Sequence, residues 1–202
     1  MNLSLIEDLN INGHLTILKI YKDGKEETVF DDHNIIVSGM GAALAHLFAT
    51  SGSDLILDYQ IDRFQVGVSG SSDNETYFTN SLSGPLSSAS EYGTNTNLVV
   101  VSGYQIKNDL IGATPVYYSV IPDQNITRVD STTVRYTLVL DEFTANNLTR
   151  GSDKIYLSEI GLFVKNPKGA ETDSSILVAY RVFDDIYKTS DFSLVFRWSI
   201  NF

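Results

Sequence analysis

The chain has 202 residues and a mass of 22.3 kDa, enough for one large domain that buries roughly 70% of its extended-chain surface without covalent staples. Its composition, 43% hydrophobic, 11% aromatic and 19% charged, excludes a disordered chain. The absence of cysteine excludes disulfides, thiolate metal sites and cysteine nucleophiles, and a net charge of −11 opposes binding to a phosphate backbone or an anionic membrane.

No apolar run approaches the roughly 18 residues that cross a bilayer, and Met1–Asp8 lacks the basic start of a secretory signal. Residues 1–12 are read as an N-terminal arm and residues 13–202 as a single domain. The extended run Gly13–Tyr21 opens that domain. Asp23-Gly24 follows it and suits a two-residue hairpin turn with positive φ at both positions, with Thr28, Val29 and Phe30 in the returning strand. From Ser38, Met40, Ala43, Leu44, Leu47 and Phe48 recur at spacings of three and four, which predicts a short amphipathic helix over residues 38–49. Ser38 is its expected cap. Gly39 and Gly41 either weaken the first turn by roughly 1 kcal/mol each or permit close approach to a strand.

Further strands are predicted at Ile61–Val68, Leu98–Lys107, Pro115–Ile121, Thr133–Leu140, Ile155–Lys165 and Ile176–Phe183. The clearest is the last, where Phe192, Leu194, Phe196, Trp198, Ile200 and Phe202 share one face. Between them, residues 69–97 read as a long polar loop rich in Ser, Gly, Thr and Asn, anchored by Tyr77, Phe78, Leu82, Leu86 and Tyr92. There is no internal repeat and no linker. The expected fold is mainly β, an antiparallel β-sandwich or jelly-roll-like domain with one short helix.

Reactive constellations are not evident. His14, His33 and His46, placed in a strand, a turn and a helix, show no local ligand pair. The acidic pairs Asp31-Asp32, Asp141-Glu142 and Asp184-Asp185 fit solvated strand ends better than a glycosidase dyad, and no calcium loop accompanies them. Ser69-Gly70-Ser71-Ser72 lacks the lysine and helix of a phosphate loop, and Gly67-Val68-Ser69-Gly70 is not a nucleophile elbow. The sequence therefore assigns no catalytic, cofactor-binding or metal residue, and the chain is not read as an enzyme. Eleven tyrosines fit half-buried strand positions, or stacking platforms for sugars.

The order of the landmarks is more telling. Gly13-His14-Leu15-Thr16-Ile17 and Asn34-Ile35-Ile36-Val37-Ser38-Gly39 precede the small-residue helix. Phe64-Gln65-Val66-Gly67-Val68-Ser69-Gly70 and Ser83-Gly84-Pro85-Leu86 follow it. Ser158-Glu159-Ile160-Gly161-Leu162-Phe163 and Lys188 with Trp198-Ser199-Ile200 close the series. Over roughly residues 13–202 this order resembles small virion structural proteins of tailed bacteriophages and a module of their tail-fibre and appendage proteins. The resemblance implies a β scaffold with no catalytic residues. It also implies assembly with copies of itself in a ring or trimer and with neighbouring virion proteins, and a place in the virion after assembly in the host cytoplasm. Because no stalk or tip follows Phe202, an adaptor or decoration subunit of the tail, neck, baseplate or fibre-attachment region is expected rather than a whole fibre. The contact segments expected are residues 1–12 and 69–97. The alternative is a carbohydrate-binding β-sandwich that recognises host glycans; a β-jelly-roll glycosidase ranks third.

Overall fold

A computed structural model of the chain describes residues 11–48, 60–86, 104–108, 115–164 and 175–202, with the backbone alone at 104–108 and 115–119. In chain order the main elements are β1 (Asn12–Tyr21), β2 (Glu26–Ile36), helix α1 (Gly39–Phe48), β3 (Ile61–Gly67), β4 (Tyr104–Asn108), β5 (Pro115–Val120) and β6 (Ile126–Arg128). They continue with β7 (Thr133–Leu140), β8 (Thr149–Arg150), β9 (Asp153–Lys154), β10 (Leu157–Val164), β11 (Ile176–Ile186) and β12 (Phe192–Asn201). Apart from the small β8–β9 hairpin, these strands hydrogen-bond in the order β4-β5-β3-β10-β11-β2-β1-β12-β7-β6, and every pairing is antiparallel.

The sheet becomes two layers because β2 serves both. Its residues from Glu26 to Asn34 pair with β1, whereas Ile35 and Ile36 pair with Tyr180 and Ala179 of β11. One layer then contributes Leu15, Ile17, Leu138, Phe196 and Trp198 to the core, and the other contributes Phe64, Val66, Ile160, Leu162 and Val178. The result is a mainly β, β-sandwich-like fold with one helix. Alternation along β12 explains its central place: Phe192, Leu194, Phe196, Trp198 and Ile200 are buried, while Arg197 between them faces water. Phe202 ends the pattern half-exposed.

Several local expectations change. The β1–β2 turn has positive φ at Gly24 alone, at 84°, so Asp23 does not need the left-handed region; Lys25 N–H donates to Asp23 Oδ1 at 2.9 Å instead. The returning strand is much longer than Thr28–Phe30, and it carries Asp31, Asp32 and His33 inside it. Asp184 and Asp185 likewise lie within β11, exposed, rather than at a turn after Phe183. Adjacent residues alternate faces, so at these positions each strand is exposed on both sides, and its burial comes from its other residues. Residues 49–59, 87–103, 109–114 and 165–174 lie outside the description, including Tyr92, the start of the strand predicted from Leu98, and Lys165.

Helix α1 begins where the chain presses on β11. A Cβ on Gly39 would collide with the Leu177 carbonyl oxygen, whereas Gly41 faces open space. Of the two readings of these glycines, close approach holds for Gly39 only. Met40 and Ala43 are buried on the inner side, and Phe48, expected on the apolar face, projects into solvent at the helix end.

Candidate assembly surface

Strand β10 is buried along its whole length, on both faces. Leu157, Ile160, Leu162 and Val164 enter the main core. Glu159, Gly161 and Phe163 turn the other way, and a strap formed by residues 69–86 covers them. A second apolar cluster lies beneath the strap, made of Val37, Leu82, Phe163, Leu177 and Tyr180. Gly161 makes this possible: a Cβ there would stand 2.6 Å from Leu177 Cδ1 and 2.8 Å from Leu82 Cδ1.

Polar groups fasten the strap in both directions. The Glu159 carboxyl group is fully buried and accepts hydrogen bonds from Ser83 N–H at 2.9 Å, Gly84 N–H at 2.7 Å and the Tyr180 hydroxyl at 2.6 Å. These donors suit a carboxylate, which can only accept. They replace the water that Glu159 has lost. Burial, with Glu159 as its hydrogen-bond partner, pushes the Tyr180 phenol well above its ordinary range. Conversely, Glu75 on the strap accepts the Val182 N–H at 2.6 Å and lies 3.3 Å from Arg181 Nη1, while Arg181 Nη2 pairs with Asp32 at 2.7 Å. The Gly70 N–H donates to Ser158 Oγ at 2.9 Å, and Leu86 N–H closes on the Val66 carbonyl at 2.9 Å. A Cβ on Gly67 would strike the Glu159 carboxyl oxygen, so this glycine makes room for the carboxylate.

What the strap presents outward is aromatic. Tyr77 is 57% exposed and Phe78 79% exposed, and their rings meet edge to face with centroids 5.3 Å apart. The Tyr77 carbonyl accepts the Ser38 N–H at 2.7 Å, which ties this apex to the entrance of α1. Two adjacent large rings held in water on a fastened backbone make a contact patch that loses little conformational freedom on docking. Beside Phe78 lies a polar depression of about 480 Å³ lined by Asp73, Asn74, Thr79 and Asn80 among others.

The other sequence candidates are dispersed. His33 is in β2, not a turn, and stands opposite His14 with ring centroids 5.5 Å apart; His14 Nε2 lies 2.8 Å from Asp31 Oδ1. A hydrogen bond from Thr16, followed by one from His14, holds the Asp31 carboxyl below its usual range. His46 is remote, on α1. Among the described residues no three such side chains converge as metal ligands, and no helix is long and apolar enough to cross a membrane. Asp141 and Glu142 open a loop that ends at Leu148 and passes through the left-handed region at Ala145 and Asn147, with φ of 56° and 53°.

That loop encloses a second buried charge, Lys188, which the sequence offered only as a landmark in the order of its pieces. Lys188 is 1% exposed, and its ammonium group donates to Asn146 Oδ1 at 2.8 Å and to the Thr189 carbonyl at 2.9 Å. Burial lowers its pKa to about 8, against the pull of the Asp141, Glu142 and Asp191 carboxylates. Glu159 did carry a visible signal, as the lone charge in the apolar run Leu157–Val164. Its backbone partners lie 75 and 76 positions away, where no local pattern points. No family model matches the chain, and neither the curated proteins nor the solved structures contain a match.

Proposed function

We propose that this chain is a structural subunit of a tailed-phage virion, an adaptor or decoration protein of the tail, neck, baseplate or fibre-attachment region that works by protein–protein assembly. The ordered landmarks of the sequence supply the class. The observation that carries the contact role is the exposed Tyr77–Phe78 pair on a strap fastened through Glu159 and Glu75. An apolar patch kept in water on a rigid support is the arrangement expected of an interface anchor.

Light scattering and negative-stain imaging of the purified chain test this reading. The expected wild-type species is a discrete ring or trimer, which Tyr77→Ser with Phe78→Ser reduces to monomer while the thermal midpoint holds. The N-terminal arm is tested by deleting residues 1–10, since β1 already begins at Asn12. A wild-type monomer, or an oligomer indifferent to all these changes, would refute self-assembly through these segments.

The second reading, recognition of a host glycan, has one observation in its favour: Phe78 stands at the edge of the polar depression formed by Asp73, Asn74 and Asn80. An aromatic face beside amide and carboxylate groups is a sugar-stacking arrangement. A glycan array would return hits that Phe78→Ala abolishes; a blank array rejects it.

A further inference from the structure

At the other end of the sandwich, α1 and the β6–β7 pair leave a pocket of about 440 Å³. Leu44 and Leu47 of the helix form one wall, and Ile61, Val134 and Val164 form the floor and far side. The size suits a small molecule and is too narrow for a helix of 10–12 Å diameter.

Three polar residues, Gln60, Tyr136 and Arg128, break the apolar lining. Tyr136 is 5% exposed and lines the pocket. Arg128 lies at the mouth. Its Nε and Nη2 donate to the carbonyls of Asp130 and Ser131 at 3.0 and 3.1 Å, and no carboxylate pairs with it among the described residues. The strand register brings these two groups together. Tyr136 pairs with Ile126 and Val134 with Arg128, so Tyr136 and Arg128 are diagonal neighbours on one face, about 7–8 Å apart at the backbone. Both residues line the one pocket, with the Arg128 guanidinium tied to the 130–131 carbonyls. A phenol that donates beside a guanidinium is a carboxylate-binding pair, and apart from Gln60 the rest of the lining is hydrocarbon. Since a chain of net charge −11 repels anions at long range, the recognition must be made at short range by these two groups.

We propose that this pocket binds a small apolar monocarboxylate, with the carboxylate between Arg128 and the Tyr136 hydroxyl and the hydrocarbon along Leu44, Leu47 and Val164. The site is separate from the strap and stands apart from the virion reading.

Isothermal titration calorimetry of the full chain with decanoate, and with decanol as the uncharged control, tests it. Decanoate is expected to bind saturably at one site per chain. Arg128→Gln, an exposed change that leaves the fold intact, should weaken decanoate roughly ten- to a hundredfold and leave decanol within about twofold. Tyr136→Phe should weaken decanoate about tenfold, and Leu44→Trp should block both ligands. No saturable decanoate binding would overturn the proposal, as would an affinity indifferent to Arg128→Gln. Binding seen only after removal of residues 1–10 would also overturn it, because the pocket would then belong to the chain's own N-terminus.

Discussion

The strap face of β10–β11 and the pocket beneath α1 each bury a tyrosine, and they do so under opposite conditions. Tyr180 is wholly enclosed and gives its hydroxyl to Glu159, which also holds Ser83 and Gly84. Tyr136 is almost as enclosed, but it lines a pocket, and burial alone drives its phenol pKa up. In one region polar groups close a seam; in the other a phenol borders a pocket. A hydrogen-bonded buried network fixes the arrangement of the chain, whereas a polar group on a pocket wall is placed to meet a further molecule.

The largest effect should come from breaking the satisfied side. Glu159→Ala strands two backbone N–H groups and a phenol, and should cost about 3–5 kcal/mol. Urea denaturation gives the magnitude. Hydrogen exchange gives the location, with the Ser83 and Gly84 amides losing protection before the β12 ladder does. If the strap amides stay protected in this variant, Glu159 is not what fastens it.

Next in size is a pH effect at Lys188. Its folded pKa, about 8, lies below the ordinary 10.5, so between those values the unfolded chain holds a proton that the folded chain has released. Stability should therefore rise with pH across that window, by on the order of 3 kcal/mol from this group. Tyr136 and Tyr180 work in the other direction. Their raised pKa values keep the phenols neutral in the fold, and stability is lost above about pH 10 as the unfolded tyrosines ionise. Denaturation curves between pH 7.5 and 10 should show the rise in the wild type and a flat profile in Lys188→Met.

A smaller cost, about 1–3 kcal/mol, is expected for Gly67→Ala, whose methyl group must displace the Glu159 carboxylate. The same variant should weaken protection at Gly84 without touching α1. This separates a local disturbance of the seam from general loss of packing.

How much of this was legible follows from where the information resides. The period-two pattern of β12 and the span of β7 are local, and Thr133–Leu140 was read to the residue. The helix was legible for the same reason. Asp31-Asp32-His33 and Asp184-Asp185 misled because acidic pairs resemble turns, yet a strand exposed on both faces over two or three residues accommodates them. The polar stretch from Ser69 read as a long loop anchored by Tyr77, Phe78, Leu82, Leu86 and Tyr92; of the described four, Leu82 and Leu86 are buried, whereas Tyr77 and Phe78 face water. Its fastening depends on Glu75 meeting Val182 across 107 positions and on Glu159 meeting Gly84 across 75, contacts that only the tertiary fold creates. Glu-Ile-Gly within β10 was conspicuous, and its reason, a buried acceptor next to a gap for Leu82, required the strap to be in place.

The finest test compares the two phenols directly, because the same atom is removed from each. Tyr180→Phe takes a donor from Glu159 and should destabilise by about 1–3 kcal/mol. Tyr136→Phe takes away a hydroxyl that borders the pocket, and should leave the unliganded chain unchanged or more stable by about 1 kcal/mol. Opposite signs in matched urea titrations would locate the difference in hydrogen bonding, since ring size and burial are nearly common to both. Equal losses would mean that the Tyr136 hydroxyl is already satisfied in solution, and the pocket would then lack the unmet donor on which its ligand depends.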